Sequence, residues 1–255
     1  MVNSPIGIFS ACEGEISVLR DHMRLQRSEI FGNREFMIGS LYNRCVVLVL
    51  SHPGKTATAL TATLLIDRFK CGFIIFGGVA GSMHPNVKVG DIVIASEVSQ
   101  HDLDSRPLCD RFEVPDLGGK LWPTDRTDVF KAAVAKYLKH GFSADFNGVD
   151  LAQFHATQPT LHTGLIVCGD QFISSTQHKN DIIDGYKELS RAPLACEMEG
   201  GVLAVVGREF GIPVADLRVI SDSADEEAEF DFNAFMEGFA GRLVAALVRE
   251  AIACI

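Results

Sequence analysis

Two glutamates flank a methionine in "CEMEGG", Cys196 to Gly201. Two residues apart, Glu197 and Glu199 point to the same side of an extended segment, so this stretch aims two carboxylates at one place. Paired carboxylates suit acid–base work on a bond that breaks with charge separation, one holding a proton while the other accepts one. Acidic groups recur after other apolar runs: Glu13 and Glu15 follow "IGIFSA", Asp170 follows "TGLIVC", and Asp222 closes "LRVISD". A further run, "GFIIF", leads into "GGVAGS", whose small residues, Gly81 among them, leave backbone N–H groups open. Each carboxylate alone has an ordinary structural role. Glu15 and Glu199 could favour the first turn of a helix, Asp222 could cap one, and Asp170 could close a turn. Their coincidence after several strands carries more weight than any single one.

The elements that must position these groups alternate in type. The pattern predicts strands at 6–11, "REFMIGSLY", "RCVVLVLS", 72–82 running into a glycine turn, 90–98, 163–170 and 213–222. Helices are predicted at 15–25, with Ile16, Leu19 and Met23 on one face, and at 54–69, "TDVFKAAVAKYLKH" and 176–189. A last helix carries Phe232, Phe235, Phe239, Leu243, Val244, Leu247 and Val248 at helical spacing, so most of that stripe is core. Strands alternating with helices of this length imply a layered α/β fold, in which ligands gather beyond the carboxyl ends of the strands. The acidic groups above stand at those ends. One domain over 1–255 is expected, with a long surface excursion at about 105–162, where Pro, Gly and charge are dense.

Several function classes are disfavoured. A net charge of −10 argues against a nucleic-acid partner. No apolar run reaches bilayer length and the first residues lack a secretion-signal pattern, so no membrane partner and a cytoplasmic location are expected. The seven cysteines, scattered and mostly beside apolar residues, read as buried reduced thiols. With no C-x-x-C and no H-x-x-x-H, no metal is expected. "HPGKTATA" ends like a phosphate loop, yet Val49 occupies the place of its first glycine. "GGVAGS" has Val79 where a dinucleotide fingerprint needs glycine, so no nicotinamide cofactor is expected. No G-x-S-x-G elbow supports a serine nucleophile.

The blocks "IGIFSACEGEISVLRDHM", "GKTATALTATLLIDRFKCGFIIFGGVAGSMHPNVKVGDIVIASEVSQHD", "GLIVCGDQFI", "CEMEGG" and "LRVISDSAD", in this order, resemble the purine nucleoside phosphorylase/hydrolase superfamily. The likeness is to its methylthioadenosine/S-adenosylhomocysteine nucleosidases. It implies a single three-layer α/β domain with a mixed, partly barrel-like central sheet, paired as a homodimer, that cleaves the ribose–adenine bond with water. By this resemblance Glu15 matches the carboxylate that deprotonates the water, and Asp222 the acid that protonates purine N7. Met198 and Glu199 match the ribose-holding pair, and Phe172 and Ile173 the adenine-binding positions. Arg218 is similar to an arginine near the water, Ser221 to an adenine neighbour, and Phe232 to an aromatic near the 5′ substituent. Gly81 belongs with the substrate-binding turn.

The chemistry asks that burial raise the Asp222 pKa so that it holds a proton, and that Arg218 keep Glu15 charged. Glu197 is assigned to the wall or the chain turn. The resemblance favours water over phosphate, because "SACEGE" offers a glutamate where a phosphorylase would hold its anion. Departures at Val79, Cys12, Pro53, Ser105 and the glycines of "EMEGG" leave the 5′ group open among methylthioadenosine, S-adenosylhomocysteine, 5′-deoxyadenosine and aminofutalosine.

Overall fold

Parallel strands covered on both faces read as continuous apolar runs rather than alternating ones, and the Val-, Ile- and Phe-rich stretches here behave that way. In the computed structural model, which describes residues 4–255, β1 (Ile6–Ser10), β5 (Phe73–Ser82) and β10 (Val214–Asp222) are buried at every position. They join β2 (Arg24–Phe31), β3 (Arg34–Leu41), β4 (Arg44–Leu50), β6 (Ile92–Gln100), β7 (Trp122–Pro123), β8 (Leu161–Cys168) and β9 (Ala195–Glu197) in one sheet. Part of that sheet closes on itself: β5 pairs with β10, β10 with β6, β6 with β8, β8 with β9, and β9 again with β5. From β5 an open arm continues through β1 and β4 to β3 and β2. The sheet is mixed, since β6 runs antiparallel to β10 while β1, β4, β5 and β10 are linked by parallel pairings.

Alternate residues of one strand feed opposite sides. Ile8 and Ile75 pack with Ile16 and Leu19 of α1 (Glu13–His22), Phe130 and Val134 of α3 (Thr127–His140), and Leu243 and Leu247 of α8 (Ala240–Ala253). Phe9 and Ile74 pack on the other side with Ala62 and Leu65 of α2 (Lys55–Asp67) and Leu203 and Ala204 of α6 (Gly200–Phe210). The result is a helix–sheet–helix layering in which β1, β4, β5 and β10 all point their carboxyl ends the same way. No helix among the described residues is long and apolar enough to cross a membrane.

Five expectations change. The helix expected over 15–25 ends at His22, and β2 follows it as a strand the pattern does not announce. Nearly every β2 residue is exposed, so it is held by backbone pairing with β3 and carries no apolar alternation. "GGVAGS" is not a turn: it is the end of β5, buried between β10 and β9. The single last helix is two, α7 (Ala228–Gly238) and α8, broken at Phe239. The segment 105–162 is a surface excursion only in its first part. From Trp122 onward it supplies core, with Trp122, Phe130, Val134, Tyr137, Phe142 and Phe146 buried. All seven cysteines are free, but only Cys71, Cys168 and Cys196 are buried.

Candidate active site

Each strand end contributes one short segment to a common cavity of about 300 Å³. The turn after β1 supplies Cys12 and Glu15, the loop after β4 supplies Pro53, and the end of β5 supplies Val79 and Gly81. Phe172 and Ile173 arrive after β8, Met198 and Glu199 after β9, and Arg218, Ser221 and Asp222 on β10. Phe232 reaches in from α7. All ten residues singled out from the sequence thus line one space. Of the positions that depart from the family pattern, Cys12, Pro53 and Val79 line it as well, and Ser105 does not. The size and apolar walls suit a small, largely flat ligand.

Glu15 is held by three backbone donors. Oε2 accepts from Ala11 and Cys12 N–H, both at 2.8 Å, and Oε1 accepts from Val79 N–H at 2.8 Å. The structural role and the candidate chemical role therefore coexist: the side chain caps its own helix and borders the cavity. Burial raises its pKa above the ordinary carboxylate value, opposed by Arg218 and by the three N–H groups. Arg218 favours the charged form as expected, but desolvation is the larger influence. Gly78 makes the packing possible. A Cβ there would lie 2.7 Å from Glu15 Oε1 and 3.1 Å from Arg218 Nη1.

Arg218 is 1% exposed and spends its donors on protein groups. Nε donates to Asp216 Oδ1 at 2.6 Å, Nη1 to the Val79 carbonyl at 3.0 Å and to Glu199 Oε2 at 3.3 Å, and Nη2 to Glu197 Oε2. Its guanidinium also lies 3.8 Å from the Phe76 ring centroid. Glu197 is more than a wall residue: besides this ion pair it accepts the Glu199 and Gly200 N–H groups that open α6. Glu199 completes its contacts with the Gly54 N–H at 2.9 Å. Gly54 has φ of 98°, a conformation glycine adopts at little cost, and it turns its N–H toward the carboxylate. Burial pushes Glu199 up to about 8, with Arg218 pulling the other way. Among the described residues lining the cavity, Arg218 is the one Lys or Arg, and four carboxylates share its surroundings.

At the other end, Asp222 accepts Ser221 Oγ–H at 2.7 Å and Ala224 N–H at 2.9 Å. Burial raises its pKa to about 6 against these two hydrogen bonds. Gly81 leaves it room, because a Cβ there would sit 2.8 Å from Asp222 Oδ1. Phe172, 46% exposed, meets Phe232 edge-on with centroids 5.6 Å apart, so two aromatic faces flank the opening. The Cys12 thiol is pushed up to about 12 by burial and nearby carboxylates, which keeps it neutral and weakly nucleophilic. An acid and a base held apart in an apolar slot, with a buried carboxylate beside them, can cleave a bond whose fragments part as cation and anion.

Sequence reasoning missed Asp216 and Gly54. Asp216 sits inside an apolar strand, and only its two-residue spacing from Arg218 hints at a partner. Gly54 stood in view within "HPGKTATA" once that motif had been rejected as a phosphate loop.

Comparison with known proteins agrees with this geometry. The model of the phosphorylase superfamily matches residues 5–253. A 5′-methylthioadenosine/S-adenosylhomocysteine nucleosidase of Exiguobacterium sp. is 34% identical, with 91% of each chain covered. An aminodeoxyfutalosine nucleosidase of Helicobacter pylori is 32% identical, again with 91% of each covered. Among solved structures, the Neisseria meningitidis 5′-methylthioadenosine/S-adenosylhomocysteine nucleosidase in complex with methylthio-immucillin-A aligns with a TM-score of 0.83. That match has 28% identity and covers 99% of this chain and 100% of that one. The chain belongs to the phosphorylase superfamily, grouping with its 5′-methylthioadenosine/S-adenosylhomocysteine nucleosidases.

Proposed function

We propose that the protein hydrolyses the N-glycosidic bond of a 5′-substituted adenosine and releases adenine. The observation that carries this reading is the convergence of Glu15 and Asp222 on one cavity beside Glu199. In this reading Phe172 and Ile173 receive the base, and protonated Asp222 donates to purine N7 as the C1′–N9 bond breaks and its electron pair passes to adenine. The sugar is left cation-like. Glu199 and Met198 hold the ribose. Glu15 orients a water and takes its proton as the oxygen bonds to C1′. Phe232, with Cys12, Pro53 and Val79, lines the remaining space for the 5′ group. We further propose that the protein works as a homodimer in the cytoplasm.

Water is preferred to phosphate for an electrostatic reason. Arg218 is already engaged by three carboxylates, so among the described residues lining the cavity no free Lys or Arg can hold an anionic nucleophile. The test is a panel of methylthioadenosine, S-adenosylhomocysteine, 5′-deoxyadenosine and aminofutalosine, assayed for adenine with and without phosphate. Release at the same rate in both, with a free sugar as co-product, is expected. A requirement for phosphate with formation of a sugar 1-phosphate would overturn the reading.

A further inference from the structure

At the inner wall of the cavity, which Glu197 lines and Asp216 does not, Asp216 of β10 and Glu197 of β9 meet on one edge of the Arg218 guanidinium, Nε on the former and Nη2 on the latter. Both side chains are 1% exposed. Their inner oxygens are committed: Asp216 Oδ1 to Nε at 2.6 Å, and Glu197 Oε2 to Nη2 and to the Glu199 and Gly200 N–H groups at 2.5 and 2.7 Å. Their outer oxygens, Asp216 Oδ2 and Glu197 Oε1, are buried and have no hydrogen-bond partner among the described residues. These two orphans are neighbours, 2.2 and 3.1 Å from the point where a Cβ on Gly200 would sit. An unpartnered ionised oxygen is costly to bury, and two adjacent carboxylates resist carrying charge together. One proton between them removes both problems.

We propose that Asp216 and Glu197 hold a single shared proton, an acid–carboxylate hydrogen bond that braces Arg218 beneath the site, and that Asp216 is a positioning residue. The pair then carries one negative charge, which Arg218 offsets. Burial, the largest influence, pushes Asp216 up to about 7, with Arg218 opposing the shift and the nearby Glu197 charge adding to it. The ionisable groups facing the pair are Arg218, Glu199, Glu15, the Cys168 and Cys196 thiols, and His101. The link to turnover rests on the proposed function, while the shared proton itself does not.

The amide variants separate the possibilities. In Asp216→Asn the new NH2 can donate to Glu197 Oε1, and in Glu197→Gln to Asp216 Oδ2, so each imitates the shared proton. The double variant sets NH2 against NH2, because both inner oxygens are committed. Asp216→Asn is expected to hold kcat within about threefold, whereas Asp216→Leu and the double variant lose about tenfold or more in kcat with KM less affected. Infrared difference spectra at pH 6, wild type minus Asp216→Asn and wild type minus Glu197→Gln, should both carry the same protonated-carboxyl C=O band, which the difference against Asp222→Asn lacks. Urea midpoints should place the double variant below both singles. Absence of that common band from the two difference spectra, or a double variant as stable as the singles, overturns the proposal. The spectra and midpoints decide even if no tested nucleoside is cleaved.

Discussion

Replacing Asp222 with asparagine should stabilise the protein while removing its activity. Its pKa is raised from 3.8 to about 6, chiefly by burial. A carboxyl whose folded pKa lies above its unfolded value contributes most to stability below the unfolded pKa, and that contribution is lost as pH rises through the folded one. Two pH units at 1.36 kcal/mol each make the ionised side chain a burden of about 3 kcal/mol above pH 6. Asparagine escapes that burden. Its Oδ1 can keep the Ala224 N–H, and its NH2 can donate to Ser221 Oγ, whose hydroxyl turns to the Ala80 carbonyl at 3.4 Å. Urea unfolding followed by the single tryptophan, the buried Trp122, measures the difference. Asp222→Asn should be more stable by about 3 kcal/mol at pH 8, by about half of that at pH 5, and by about a fifth of it at pH 4. Adenine release should fall by about 10²- to 10⁴-fold. No gain at pH 8, or a gain that does not shrink on acidification, would refute the argument that Asp222 is held in a costly ionised state.

In the wild-type protein, kcat/KM should decline as pH rises through about 6, as free-enzyme Asp222 loses its proton; a pH–rate profile rising across pH 6–8 would contradict its role as the acid. Glu15→Gln should cost about 10²- to 10⁴-fold in turnover. It should also cost about 1–3 kcal/mol of stability, because its NH2 must face at least one of the N–H donors of Ala11, Cys12 and Val79. Gly78→Ala should destabilise by about 1–3 kcal/mol and slow turnover, since the new Cβ would fall 2.5 Å from the Phe76 ring and close on Glu15; thermal melts and initial rates check both. Phe172→Ala, at a half-exposed ring, should leave the fold intact and raise KM about two- to tenfold, the worth of one aromatic contact.

Much of the site could be read from the chain because its members lie within a few residues of strand ends, where apolar runs stop and acidic or small residues begin. Glu15, Glu199 and Asp222 each mark such a boundary. Less of it was legible where the signal depends on pairing. β2 carries no apolar alternation because its order comes from hydrogen bonds to β3. The glycines of "GGVAGS" read as a turn, yet their role is to let Glu15, Arg218 and Asp222 approach a strand closely. Glu197 looked like a wall residue because its partner, Arg218, lies twenty-one residues away.

The sequence by itself determined the α/β layering, the order of the elements and the residue types at the strand ends, because apolar period and breakers are local properties. Only the tertiary structure decided that β10 closes against β5 and β6, and it is this closure that carries Asp222 and Arg218 to the cavity that Glu15 borders from α1. It also decided how much each carboxyl is desolvated and which oxygens go without a partner. Those quantities depend on what every other strand places around a group, and no local stretch of chain contains that information.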